Sequence, residues 1–297
     1  MKKINITDGI VANIIDETKG YAEILISDGI TEIPTDIDED RYNYYNNIKD
    51  ERRYSYDEDN YYTSCIGDFI EQNSIKNVKI IGGGENLKDI SYLFTFCENL
   101  QTVDLSGFNT SNVEDMMYIF YACTSLKRVK LSGLNTSNVA NMHAMFCKCT
   151  NLETLNLLTF DTTEVIDMIG MFAECTNLKR LKISKFKSNN LMHADCMFEN
   201  CTNLETISMP KFGISKLWSL ECMFKDCTRL KTINLPRFQP IEHLECSYMF
   251  ENCTNLETIN MPKFKLTPYD IAYSMTYGCK RLQEAQKRQF INIYGKD

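Results

Sequence analysis

Apolar residues recur along this chain with one fixed period. Eight cysteines lie 26 residues apart without a slip, and each is followed three residues later by a leucine. We call them the ladder cysteines: Cys97, Cys123, Cys149, Cys175, Cys201, Cys227, Cys253 and Cys279. A period between about 20 and 50 residues is typical of a solenoid, in which stacked units bury one another's apolar surfaces. The pattern therefore predicts one repeat array, although the length alone would suggest about two domains.

Within each unit, the apolar spacing changes from that of a strand to that of a helix. Counted from the ladder cysteine, positions +6 and +8, such as Val103 and Leu105, alternate with polar residues, as in a strand with one buried side. Later in the unit, Val113, Met116 and Ile119 are spaced three apart, as on one side of a helix or a short 3₁₀ segment. We expect an α/β leucine-rich-repeat solenoid, curved, with one strand and one short helix per 26-residue unit.

The two ends of the chain differ from the repeats, which we assign to residues 65–279. Residues 10–26 contain two apolar segments around Lys19-Gly20, which predicts a β-hairpin as an N-terminal cap within residues 1–34. Residues 280–297 turn polar and favour a helix, which predicts a C-terminal helical cap. Caps are expected because the terminal units of a solenoid each have one side exposed to water.

An insert at residues 35–64 interrupts the repeats with nine acidic side chains, four basic ones and seven of the 16 tyrosines. One interpretation is a solvated, partly disordered loop, since charge-rich polar segments often stay open. The other is a binding loop, because tyrosine gives large amphipathic contacts at low entropic cost. In the second case the contact residues would be Tyr42, Tyr44, Tyr45, Tyr54 and Tyr56.

Charge is unevenly distributed along the chain and narrows the choice of partners. The net charge is −8, with −9 in residues 1–96 and +1 in the rest. Without a basic footprint, we expect no general affinity for nucleic acid. No apolar run is long enough to span a bilayer, and polar residues interrupt the opening "MKKINITDGIVANII", so we expect no membrane insertion and no signal peptide. As written, the chain is predicted to be cytoplasmic.

The repeat itself resembles a known family. The segment "LSGFNTSNVEDMMYIFYACTSLKRVKLSGLNTSNVANMHAMFCKCTNLETLNL" resembles the 26-residue leucine-rich repeat of bacterial surface proteins of the BspA-like type, through "F-N-T-S-N-V" and "M-F-x-x-C-x-x-L". The resemblance covers residues 65–282. It implies a curved solenoid that binds proteins, often as an adhesin at a cell surface. An intracellular inhibitor, an immunity-type protein and a virion component are alternatives that use the same repeat.

Candidate chemistry is sparse. The three histidines, His143, His193 and His243, occupy the different positions +20, +18 and +16, so we do not expect them to converge on one ion or substrate. The ladder cysteines share one buried position, which favours free thiols that pack as apolar groups over disulfides. Neither Cys147 with Cys149 nor another cysteine pair has the partners that complete a four-ligand zinc site. We therefore expect no enzyme activity, no cofactor and no metal.

A protein partner is expected on the polar side of the strands, at positions +5 and +7, which we call the strand face. Its cations, with two from the +10 edge, are Arg128, Lys130, Arg180, Lys182, Lys185 and Lys211. They would attract an acidic or polar protein surface and mainly govern on-rate and specificity. The alternative is a strand face that contacts only solvent.

A second candidate surface lies at position +17, where four consecutive repeats carry Ile166, Met192, Trp218 and Leu244. If these side chains are exposed, they form an apolar stripe through which the protein would form a homo-oligomer, as in a structural or assembly component. If the local helices rotate, the stripe is buried. Leu244 follows His243, which stands where earlier repeats have valine or leucine, and this indicates a local shift of phase.

Overall fold

The computed structural model describes residues 2–27, 29–37, 62–187, 189–212, 215–235, 244–261 and 272–282. This part of the chain forms strands β1 to β13 and helix α1. Their bounds are Lys2–Thr7 (β1), Ile10–Asp16 (β2), Tyr21–Ile26 (β3), Thr35–Ile37 (β4), Tyr62–Ser64 (β5), Cys65–Gln72 (α1), Asn77–Ile80 (β6), Thr102–Asp104 (β7), Arg128–Lys130 (β8), Thr154–Asn156 (β9), Arg180–Lys182 (β10), Thr206–Ser208 (β11), Thr232–Asn234 (β12) and Thr258–Asn260 (β13).

The repeats stack as a β-solenoid, which confirms the predicted fold. Strands β7 to β13 each come from one repeat, and paired strands run parallel, so that Val103 lies beside Val129 and Ile207 beside Ile233. The middle residue of each strand points inwards, while its +5 and +7 neighbours point outwards. Within the described strands, backbone pairing joins β1-β2-β3-β6-β7-β8, then β9 with β10, then β11-β12-β13.

The N-terminal hairpin continues the sheet of the repeats. β2 and β3 pair antiparallel, β1 adds to β2, and β3 pairs parallel with β6. At the hairpin turn, Gly20 has φ of +57°, and a Cβ there would lie 3.0 Å from the backbone of both Ser74 and Lys76. A larger residue would therefore push the hairpin away from the first repeat. Residues 283–297, which include most of the predicted C-terminal cap, lie outside the described residues.

The insert leaves and rejoins the solenoid through one short antiparallel pair. β4 pairs with β5, and β5 leads directly into α1. Ser64 caps α1, since its Oγ accepts from the Gly67 N–H at 3.0 Å and donates to the Leu93 carbonyl at 2.7 Å. Residues 38–61, and with them all five tyrosines of the predicted binding loop, lie outside the described residues.

The second half of each unit differs from the short helix that the sequence predicts. From the repeat of Cys97 onwards it is a series of tight turns, and two positions per repeat have positive φ. These residues are Tyr92, Tyr118, Ala144, Gly170, Cys196, Cys222, Tyr248 and Ser274, five before the ladder cysteine, and Phe96, Ala122, Lys148, Glu174, Asn200, Asp226, Asn252 and Gly278, one before it. In each repeat, these two left-handed residues four positions apart interrupt the i→i+4 hydrogen bonds of an α-helix.

Backbone hydrogen bonds between repeats explain why turns replace the helix. The N–H groups of Tyr118, Phe120 and Ala122 donate to carbonyls of the next repeat, each at 2.9 Å. In an α-helix these groups would bond within their own segment and leave the next repeat unpaired. The left-handed residues cost conformational energy, and the inter-repeat bonds offset that cost.

Two side-chain columns fill the interior. The first is a stack of phenylalanines at position +23, with ring centroids 5.2–6.0 Å apart between neighbours from Phe94 to Phe250. The second is the ladder cysteines, whose thiols from Cys123 onwards donate to the carbonyl of that phenylalanine one repeat earlier, as from Cys201 to Phe172 at 3.1 Å. All 13 cysteines are free, and burial raises the pKa of Cys175 to about 12. The thiols therefore act as hydrogen-bond donors as well as apolar groups.

Candidate functional site

A shallow groove of about 620 Å³ crosses the strand face where four repeats meet. It spans β7 to β10, including the boundary between β8 and β9 at which backbone pairing stops. Its lining residues are Thr102, Val103, Asp104, Arg128, Val129, Lys130, Thr154, Leu155, Asn156, Arg180 and Lys182. The structure thus brings the four strand cations of the predicted site together around one open groove.

The four cations of the groove are not equivalent. Lys130 Nζ lies 3.0 Å from Asp104 Oδ2, and it also donates to Ser106 Oγ at 3.0 Å. Burial works against ionisation of Asp104, but hydrogen bonds from Ser106 and Lys130 outweigh it and lower the pKa of that carboxyl. Within the described residues, no acidic group lies at ion-pair distance from Arg128, Arg180 or Lys182. Within this part of the chain, these three exposed cations therefore have no acidic partner.

Lys185 and Lys211 do not join this groove. Both are exposed in the turns that follow β10 and β11, one turn beyond the strand residues that line the groove. They lie on the same +10 edge of adjacent repeats, as the spacing predicts. Neither side chain is among the residues that line the groove.

The apolar stripe at position +17 is exposed in three of its four predicted members. Trp218 is 72% exposed, Ile166 40% and Met192 39%, and we call these three residues the outer stripe. Leu244 is fully buried instead, as a shift of phase by one residue requires. Its inclusion in the stripe was wrong, because Leu244 takes the inward position that Leu217 holds one repeat earlier.

Polar contacts link neighbouring repeats beside the outer stripe. Tyr118 Oη lies 3.0 Å from His143 Nε2, and His143 Nδ1 lies 3.5 Å from Asp167 Oδ2. His193 is the backbone partner of Asp167 in the next repeat, so His143 and His193 both neighbour Asp167. His243 is outside the described residues. Tyr118 is only 7% exposed, so this chain of contacts is packed against the solenoid.

Neither a metal site nor a membrane-spanning helix is present in the described ranges. No group of three or more histidine, cysteine, aspartate or glutamate side chains there has the arrangement of a metal site. In the same ranges, no helix is long and apolar enough to cross a membrane.

Two exposed aliphatic residues at the N-terminal end of the strand face escape sequence reasoning. Leu25 in β3 is 41% exposed, and Ile81, just after β6, is 37% exposed. They are neighbours, because Ile24 pairs with Ile80 and the Ile81 N–H donates to the Ile24 carbonyl at 3.0 Å. Alternation in "YAEILI" places Leu25 on the polar side of its strand, but only the register between β3 and β6 places it beside Ile81.

Three crystal structures are similar to this chain over most of its length. The chain is similar to the crystal structures of a T. pallidum leucine-rich repeat protein, TpLRR (14% identity, 99% of this chain and 98% of that chain, TM-score 0.44), and of a leucine-rich cell surface protein from Faecalibacterium prausnitzii (13%, 100% and 99%, TM-score 0.33). A leucine-rich repeat protein from Eubacterium ventriosum also matches (13%, 94% and 91%, TM-score 0.26). No curated protein matches.

The repeats of this chain match a protein-family model. A family model described as "Mycoplasma protein of unknown function, DUF285" matches residues 88–207 and 178–289, more than half of the chain. These are the same 26-residue units that carry the resemblance to BspA-like leucine-rich repeats, and that prediction is confirmed. The chain belongs to the DUF285 family of leucine-rich-repeat proteins.

Proposed function

We propose that this protein is a non-enzymatic binding module whose strand face holds a protein partner. The observation that carries the proposal is the set of three exposed cations, Arg128, Arg180 and Lys182, which line one groove and have no acidic partner among the described residues. An acidic partner surface would offset their positive charges. Such electrostatic complementarity raises the association rate and excludes partners of like charge. Among the described residues that line the groove there is no histidine or cysteine, which favours binding over catalysis.

Rigidity of the solenoid supports this function. The groove residues sit on strands that are joined by parallel backbone pairing within β7–β8 and within β9–β10. A partner that binds there does not have to order these segments, which lowers the entropic cost of association. The adhesin-like role that the family resemblance implies and an intracellular inhibitor or immunity-type role would both use such a surface, and each stays a prediction.

Site-specific crosslinking tests the proposal. A photo-reactive amino acid replaces Thr154, which lies between Arg128 and Arg180, in cells that naturally carry the protein, and crosslinked proteins are identified by mass spectrometry. We expect a crosslinked partner that is lost when Arg128→Glu, Arg180→Glu and Lys182→Glu are combined. The matched control reverses three exposed lysines outside the groove, Lys88, Lys187 and Lys216, and should keep the partner. A partner retained by the groove variant would contradict the proposal.

A second candidate function, self-assembly, is favoured by the outer stripe. Trp218 is 72% exposed and lies in line with Ile166 and Met192 on consecutive repeats, a placement that is common at interfaces. Sedimentation at increasing concentration tests it. Association that disappears in Trp218→Ser, together with a blue-shifted Trp218 emission in the parent assembly, would support self-assembly; a monomer at all concentrations would exclude it.

A further inference from the structure

We propose that the strand face binds an extended peptide segment of a partner protein in one fixed direction, with carboxylates at one end of the segment and an apolar side chain at the other. The inference rests on the proposed function, because the carboxylates would occupy the groove described above. It adds a second contact, made by Leu25 and Ile81. This contact fixes the direction of the bound peptide, which the groove alone does not.

The apolar end of this surface is formed by Leu25 and Ile81. In β3 the flanking residues Ile24 and Ile26 are fully buried, so Leu25 points to the opposite side of the sheet. Gly82 adjoins it, since a Cβ on Gly82 would lie 3.4 Å from Leu25 Cδ1. The absence of a side chain at Gly82 leaves these two aliphatic groups open to a ligand.

In the middle of the surface, Asp104 on β7 and Lys130 on β8 offset each other's charge. Asp104 and Lys130 pair at 3.0 Å, and Lys130 also bonds to Ser106. A peptide that crosses this stretch meets satisfied polar groups, which neither attract a charge strongly nor exclude an uncharged backbone. The paired region thus separates an apolar end from a cationic end.

The cationic end consists of Arg180 and Lys182 on β10, and Arg128 on β8 lies two strands nearer to the apolar end. From Ile81 after β6 to Lys182 on β10 there are four strand-to-strand steps, which is about 20 Å at the usual strand spacing of about 4.8 Å. An extended peptide advances about 3.3 Å per residue, so about six residues cover this distance. The expected ligand has an aliphatic or aromatic residue about six positions from a pair or cluster of aspartates or glutamates.

Each end by itself offers little binding energy. Leu25 and Ile81 are already more than half buried, and exposed ion pairs contribute weakly because water and salt screen them. A ligand that satisfies both ends at once gains both contributions for a single loss of translational freedom. This requirement gives specificity for the combination of the two chemistries.

Selection from a random peptide library tests the inference. A displayed library of random 12-residue peptides is selected on the full chain, and the enriched peptides are measured by fluorescence anisotropy. We expect enriched sequences with acidic residues at one end and an apolar residue about six positions away, in one order and not in the other. Affinity should fall about tenfold or more in the double variant Leu25→Ser, Ile81→Ser, and about tenfold or more in Arg128→Glu, Arg180→Glu.

Controls separate this inference from the proposed function. Ile15, near the C-terminal end of β2, is 39% exposed. Ile15→Ser is therefore a matched surface substitution that should leave affinity unchanged. Acidic peptides that respond to the arginine variant and ignore the Leu25/Ile81 variant would overturn the two-ended ligand and leave the groove intact. Peptides that ignore the arginine variant, or no enrichment at all, would overturn both. Melting temperatures of every variant check that the fold is kept.

Discussion

The phenylalanine column inside the solenoid and the strand face outside it use the same 26-residue period in different ways. The interior column holds phenylalanine in every repeat from Phe94 to Phe250, and the rings stack with neighbours almost parallel. On the strand face, Thr102 and Asp104 give way to Arg128 and Lys130 in the next repeat. The same residue type is required where each side chain packs against its counterpart in the next repeat. The strand face contacts solvent, so its residues can differ between repeats.

The largest effect is expected from breaking the interior column. Phe172 is fully buried between Phe146 and Phe198, with ring centroids 6.0 and 5.5 Å away. Phe172→Ala should lower the free energy of unfolding by about 3–5 kcal/mol, because it removes both stacking contacts and leaves a cavity. Urea denaturation measures this loss, and Phe172→Leu should lose less. A loss below that of an exposed control such as Thr154→Ala would contradict the role of the column.

Removing the thiol of the ladder cysteine that bonds to Phe172 should have a smaller effect on stability. Cys201→Ala removes the thiol donor to the Phe172 carbonyl, which keeps its second donor, the Cys175 N–H at 3.2 Å. The expected loss is about 1–2 kcal/mol from the missing hydrogen bond and the small cavity. Urea denaturation checks it. An unchanged midpoint would mean that the thiol contributes neither packing nor a hydrogen bond.

A substitution on the strand face should change binding and leave the fold intact. Among the described residues, Asp104 is the one carboxylate that lines the groove, and Asp104→Asn removes it and releases Lys130 from its ion pair. We expect a change in stability within about 0.5 kcal/mol, because the pair is exposed, and a several-fold faster association with an acidic partner. Stopped-flow association with the crosslinked partner or a selected peptide measures the second effect. A slower association would contradict the electrostatic account of the groove.

The smallest effect is a pH dependence on the turn side. Burial raises the pKa of Asp195, so its ionisation costs the folded state free energy at neutral pH. Asp195→Asn keeps the oxygen that accepts from Ser219 and from the Glu221 N–H at 2.9 Å, and it should raise the melting temperature near neutral pH. Because the parent carboxyl takes up a proton as the pH falls through its raised pKa, the gain should shrink there. Melting curves of both proteins, from neutral pH down through the pKa of Asp195, measure this gain in melting temperature. A gain that grew on acidification would contradict the account.

Much of the fold follows from the period alone. The constant spacing of the ladder cysteines predicts the stack, and alternation around Val103 predicts the strand and its buried side. His243 and Leu244 even indicate the shift of phase that buries Leu244. The turn half escapes prediction because its left-handed residues include tyrosine, cysteine and phenylalanine, which give no sign of positive φ, while the apolar spacing of three matches a helix.

The candidate site was predictable only in part. Arg128 and Arg180 share position +5, so the period places them on one side of the sheet. Asp104 and Lys130 share position +7 in adjacent repeats, and their pairing could have been inferred from the same spacing. Leu25 beside Ile81 could not, because the hairpin has no repeat and its register on β6 depends on tertiary packing.

The crosslinking yield at Thr154 tests the central claim, that the exposed cations of the strand face bind a partner while the interior columns stabilise the fold. In the variant that combines Arg128→Glu, Arg180→Glu and Lys182→Glu, we expect the yield to fall about tenfold or more at an unchanged melting temperature. A yield equal to that of the parent protein would contradict the claim.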